Sequence, residues 1–96
     1  MDAASFRASL TSPQPPAELD QLLLALWYAW NGRWHESHDV VNDCSGTDGA
    51  WLHAHLHREE GDLGNADYWY RKAGRPRPDQ PLEDEREAML AAWANN

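Results

Sequence analysis

Cysteine is almost missing from this chain. Cys44 is the only one in 96 residues, so no internal disulfide can form, which fits a reducing compartment. Basic residues are scarce too. Eight Lys and Arg stand against sixteen Asp and Glu, for a formal charge of −8, the opposite of what nucleic-acid phosphates or an anionic membrane surface attract. The apolar run from Leu22 to Trp30 falls short of the roughly 20 residues that span a bilayer and suits a buried helix. The first residues, with Asp2 and Arg7 and no long apolar core, do not read as a signal peptide. No segment alternates with period two, so strands are not expected. What remains is a small acidic all-α protein, expected in the cytoplasm, with neither nucleic acid nor membrane as a partner.

Against these shortages stand six tryptophans, three tyrosines and five histidines. One buried aromatic removes about 150–250 Å² from water, so the rings can supply the core of a small domain. Residues 1–16 read as a partly flexible N-terminal arm, with a short helix over Ala3–Ser9 and Phe6 and Leu10 available to dock, ending in the breaker cluster Ser12-Pro13-Gln14-Pro15-Pro16. Residues 17–96 read as one domain. Its first helix is predicted over Ala17–Trp30, with Pro16 at its start and Glu18 and Asp20 in its first turn, and it stops at Asn31-Gly32. A second is predicted over Arg33–Asp43. Ser45-Gly46-Thr47-Asp48-Gly49 reads as a loop with Thr47 or Asp48 as the next N-cap, followed by helices over Ala50–Glu60, Leu63–Ala73 (capped by Asp62, ended by Gly74) and Leu82–Ala94.

A shift of 29 residues lays Asn31-Gly32-Arg33-Trp34 over Glu60-Gly61-Asp62-Leu63, Ala25 over Ala54 and Ser37 over Ala66. Small residues at matched positions let antiparallel helices approach closely. From Leu19 to Pro78 this pattern resembles the tetratricopeptide repeat, although the spacing is shorter and His53 and His57 stand where that family places packing hydrophobes. The resemblance implies two antiparallel helical hairpins plus a C-terminal closing helix. The string from Trp51 to Asp62, WLHAHLHREEGD, followed by NADYWYRKAG from Asn65 to Gly74, is also similar to a set of small microbial proteins that carry a tryptophan–histidine segment, a later "HAxLHRxEGD" line and "NAxYWYxRAG". Those have no assigned activity, so this likeness implies element boundaries and hands over no function.

The histidines are the candidate chemistry. His53 and His57 are four apart and share one helix face, a spacing that can chelate a metal ion. His35 is followed by His38 and Asp39 at three and four. If the second and third main helices fold back on one another, His35 falls opposite the region of His57 and His38 opposite that of His55. The sharp reading is a divalent-metal site at His35, His53, His57 and either His38 or Asp39, with Glu36, Glu59 and Glu60 near enough to support it. The plainer reading is half-buried histidine hydrogen-bonding between helices. Trp34-His35-Glu36-Ser37-His38 is not the metalloprotease pattern, because its second histidine stands at three instead of four.

Other chemistry is weaker. Cys44 lies about 13 Å along the helix from His35 and lacks an activating base. Glu59 and Glu60 diverge by about 100° and cannot work as a pair. A face offering Trp30, Trp51, His55, Arg58 and Glu59 reads as a candidate ligand-binding surface for a peptide, or as the interface of a homodimer. The sequence therefore points first to a protein-interaction or self-association module with no required cofactor. The alternative is a small-molecule or metal-dependent enzyme built on the histidine cluster.

Overall fold

Aspartate side chains set where three of the helices begin. In the computed structural model, which describes residues 1–95, Asp2 accepts from the Ser5 amide, Asp20 from Leu23 and Asp62 from Asn65, at 2.7, 2.9 and 3.3 Å. Each satisfies a backbone donor that the helix cannot pair internally. The described residues form α1 (Ala3–Ser9), α2 (Gln21–Trp30), α3 (Trp34–Val41), α4 (Gly46–Glu59), α5 (Leu63–Ala73) and α6 (Leu82–Trp93), with no strand among them. The all-α expectation holds. No helix among the described residues is long and apolar enough to cross a membrane.

Two boundaries differ from expectation by four residues, the others by two or fewer. The first main helix begins at Gln21 and not at Ala17, because Asp20 serves as its N-cap instead of as a first-turn acid. The presumed loop Gly46–Gly49 is the opening turn of α4, with Ser45 as N-cap. Gly49 is the reason this turn fits. A Cβ there would stand 2.5 Å from the Cys44 carbonyl oxygen, on backbone that cannot swing away. Gly49→Ala is thus expected to destabilise the fold by about 1–3 kcal/mol, the usual range for overpacking, even though alanine is the better helix former. Urea unfolding would measure it, and an unchanged midpoint would mean the α3–α4 connection is free to shift.

α2 packs chiefly against α3, and α4 against α5. The small residues picked out by the internal repeat lie at these contacts: Ala25, Ser37, Ala54 and Ala66 are all fully buried. Ser37 Oγ donates to the Ala25 carbonyl at 2.7 Å, so the hydroxyl is satisfied where a larger side chain would force the helices apart. α4 is the axis of the molecule. Every residue from Gly49 to His57 is buried, because α2, α3, α5 and α6 all pack against this helix. The N-terminal segment joins the same core. Phe6 of α1 is fully buried and meets Trp30 edge-on, Ser9 Oγ accepts from Trp27 Nε1 at 3.1 Å, and Arg7 pairs with Glu87 of α6.

Candidate metal centre

Helical periodicity sorts the three histidines of α4 onto two faces. His53 and His57, four residues apart, point the same way, while His55, two from each, is turned by about 200°. On the first face they meet α3. Trp34 and His38 lie on one stripe of that helix, and the antiparallel crossing sets Trp34 beside the end of α4, where its Nε1 donates to the Leu56 carbonyl at 2.7 Å. His38 follows one turn later and comes edge-on to His53 and His57, with ring centroids 4.8 and 5.5 Å apart. His38, His53 and His57 each offer a ring nitrogen within 4.8 Å of the others.

Two tryptophans wall this cluster. Trp34 stacks on His38 with centroids 4.8 Å apart, and Trp69 of α5 stacks on His53 at 3.9 Å, each pair within 10° of parallel. Burial among these rings, followed by the charges of His38 and His57, pushes His53 from the ordinary imidazole value down to about 4. Burial, then the neighbouring His57, lowers His38 as well. Both are therefore neutral near pH 7, the protonation state in which an imidazole can ligate a metal. Around His57, the Glu60 carboxylate accepts from Nδ1 at 2.7 Å. A carboxylate can only accept, so this contact assigns the ring proton to Nδ1 and leaves the lone pair on Nε2. The Asn65 amide nitrogen stands 3.4 Å from that Nε2.

His35 stays outside the group. It is exposed, one position round the helix from Trp34, and meets that ring edge-on. The set suggested by spacing is therefore corrected to three residues, because the stripe of α3 that faces α4 runs through Trp34 and His38 and bypasses His35. Of the acids expected nearby, Glu60 serves His57, whereas Glu36 pairs with Arg33 on its own helix.

The opposite face of α4 holds a different constellation, which sequence reasoning treated as an open docking surface. Trp51 is 5% exposed and His55 has no exposure at all, because α6 lies over them and inserts Glu85. That carboxylate, 1% exposed, accepts four hydrogen bonds. His55 Nδ1 at 2.6 Å and Arg58 Nη1 at 3.0 Å reach Oε1, while Tyr70 Oη at 2.6 Å and Trp51 Nε1 at 3.0 Å reach Oε2. Burial alone would raise Glu85, but hydrogen bonds from His55, Tyr70 and Trp51 outweigh it and hold the carboxyl below its ordinary range. Burial and then Glu85 itself raise Tyr70. Glu59 Oε2 lies 4.0 Å from His55 Nε2. Trp30 is half-buried between Phe6 and the guanidinium groups of Arg7 and Arg86. The candidate set Trp30, Trp51, His55, Arg58 and Glu59 thus belongs largely to the seat of α6, beside which a cleft of about 230 Å³ opens between Trp51, Glu85 and the connection that carries Arg75 and Pro76. Glu85 was the residue missed.

Cys44 is half-buried, and burial, then Asp43 and Asp20, raise its thiol, so it is not an activated nucleophile. It does, however, line a cleft of about 380 Å³ beside the histidine cluster, together with His53, Trp69, Lys72 and the opening turn of α4. No family model matches the chain, and neither a curated protein nor a solved structure matches it.

Proposed function

We propose that this protein binds a divalent transition-metal ion through His38, His53 and His57. The observation that carries the reading is the convergence of three ring nitrogens within 4.8 Å, from two different helices. Zn–N bonds of about 2.0–2.1 Å in a tetrahedron require nitrogen pairs about 3.3 Å apart, so the rings draw slightly together on binding. Three protein ligands leave a fourth position open, the arrangement of reactive rather than purely structural zinc. His53 lines the adjoining cleft, which gives that position a route for water or a small molecule. The Glu60–His57 hydrogen bond provides the outer partner that orients a metal-bound imidazole.

The ion would also tie together the two helix pairs, since His38 belongs to α3 and the other two ligands to α4. The pairing of α2 with α3 and α4 with α5 is what supports reading the scaffold as repeat-like. The peptide-docking alternative has less behind it, because α6 occupies the face it needs. The test is calorimetric titration of untagged protein with Zn²⁺ at pH 7.5. One equivalent is expected to bind, and His38→Gln is expected to weaken binding at least tenfold while circular dichroism shows the helices intact. Absence of stoichiometric uptake, or equal affinity in the variant, would sink the proposal.

A further inference from the structure

The end of α5 and the connection after it break the charge pattern of the chain. The stretch Arg71-Lys72-Ala73-Gly74-Arg75-Pro76-Arg77 holds four of the eight basic residues and no acid, in a chain of formal charge −8. All four cations are exposed. The helix dipole favours Arg71 and Lys72 in the last turn, but that effect fades within the turn and does not account for Arg77. Internal pairing does not account for the group either. Asp67 meets Arg77 at 3.4 Å, and among the described residues no carboxylate pairs with Arg71, Lys72 or Arg75. The group is shaped as well as charged. Arg71, Arg75 and Arg77 line one cleft of about 190 Å³ with Asp67, Tyr70 and Pro76, so guanidinium groups there outnumber carboxylates three to one and repel each other until an anion enters. The Arg75 guanidinium lies 3.5 Å over the Trp51 ring, and a guanidinium held by its face keeps its N–H edge free for a planar acceptor.

From this layout we infer that the outer face of α5 docks a short acidic segment of a partner protein, whose carboxylates enter the cleft of Arg71 and Arg75. Carboxylates match the arginine fork two bonds at a time. Tyr68, 46% exposed, precedes Arg71 and Lys72 by three and four residues and so shares their face. Lys72 lies over its ring, and the ring gives the segment an apolar flank. The face is open because α5 packs chiefly on α4, while α6 turns instead to α2 and α4. Charge complementarity limits the occupant as well as attracting it. Asp62, Asp79, Glu83 and Asp84 stand exposed on either side of the strip in the chain, so a long polyanion such as a nucleic acid runs into like charge, whereas a segment with a few acids does not. Neither the histidine cluster nor the seat of α6 takes part, so the inference is independent of the metal reading.

The probe is hexaglutamate blocked at both ends, titrated into ¹⁵N-labelled protein in EDTA at 50 mM salt and followed by NMR. Shifts are expected at the amides from Asp67 to Arg77, with affinity falling severalfold at 200 mM salt, where exposed charges are screened. Arg71→Ala is expected to bind the probe about tenfold more weakly, the share of one charge-assisted contact. Its circular dichroism should match the wild type, because Arg71 is exposed and makes no ion pair within the fold. Glutarate, a free dicarboxylate, and a thymidine oligonucleotide with six phosphates are each expected to bind at least tenfold more weakly than the peptide. Shifts elsewhere or none at all, or a peptide affinity indifferent to Arg71, overturn the inference. Equal binding of the oligonucleotide overturns it too, by making the strip a general anion patch. A dimer in light scattering that Arg71→Ala dissociates would make the occupant a second copy of this chain and likewise overturn the assignment to a partner protein.

Discussion

Glu85→Ala is expected to destabilise the protein by about 3–5 kcal/mol, the range seen when one partner of a buried charge pair is removed. A domain of this size has a total stability of roughly 5–14 kcal/mol, so the variant should unfold at a much lower urea concentration or fail to fold near 37 °C. The reason lies in the four donors that converge on one carboxylate. Without it, Trp51 Nε1, His55 Nδ1, Tyr70 Oη and the Arg58 guanidinium are left facing a cavity, and each buried donor without an acceptor costs about 1–3 kcal/mol. These donors come from α4 and α5, whereas Glu85 comes from α6, so the network is what fixes α6 in register over the core. Glu85→Gln separates charge from shape. Its amide oxygen keeps one acceptor, but its NH₂ group turns a donor toward two of the four donors, so a loss between wild type and alanine is expected. If Glu85→Ala unfolds at the wild-type urea midpoint, the network does not hold α6.

How far sequence could see these features depended on whether the deciding signal was local. The spans Ala3–Ser9 and Leu63–Ala73 were legible because their limits are local chemistry: Asp2 and Asp62 as caps, Gly74 as a left-handed stop. The start of α4 was not. Gly46 and Gly49 carry the composition of a loop, and only the close approach of Gly49 to the Cys44 carbonyl explains why glycine sits inside a helix there. The metal candidates divide in the same way. The four-residue spacing of His53 and His57 is a local property, and the fold-back of α3 onto α4 brought in His38. Excluding His35 needed the rotation of α3 about its own axis, which the stripe through Trp34 and His38 determines. Glu85 was hidden by a competing explanation, since acids in a helix's first turn complement its dipole. Yet Glu85 lies three residues after Leu82 and four before Met89, inside the apolar stripe of α6. An acid on the buried stripe is a signal of a buried partner set, and that periodicity was readable.

The histidine cluster carries its own signature in acid. His53 titrates near 6.5 when unfolded and at about 4 when folded, so between those values the unfolded chain takes up a proton that the native protein refuses. Stability is therefore complete above about pH 6.5, falls as the pH drops, and levels off near pH 4. A shift of about two and a half units corresponds to about 3 kcal/mol in total. His38, lowered in the same direction, adds to the same slope. Glu85 acts in a lower window, because a carboxyl held below its ordinary value of 4.5 keeps its stabilising charge until the pH falls beneath that value. The two groups can thus be told apart by urea unfolding at pH 7.5, 5.5 and 4.5. His53→Phe keeps a flat ring against Trp69 but removes the titration, so its stability should change much less over that interval than the wild type's, with His38 supplying the remainder. Zinc should act in the opposite sense, raising stability at pH 7.5 but steepening its loss below about pH 6.5, since metal-bound imidazoles refuse the protons that the unfolded chain still takes up. Parallel slopes for wild type and His53→Phe would show that His53 is not held neutral by its surroundings. The metal reading would then rest on the convergence of the three ring nitrogens alone.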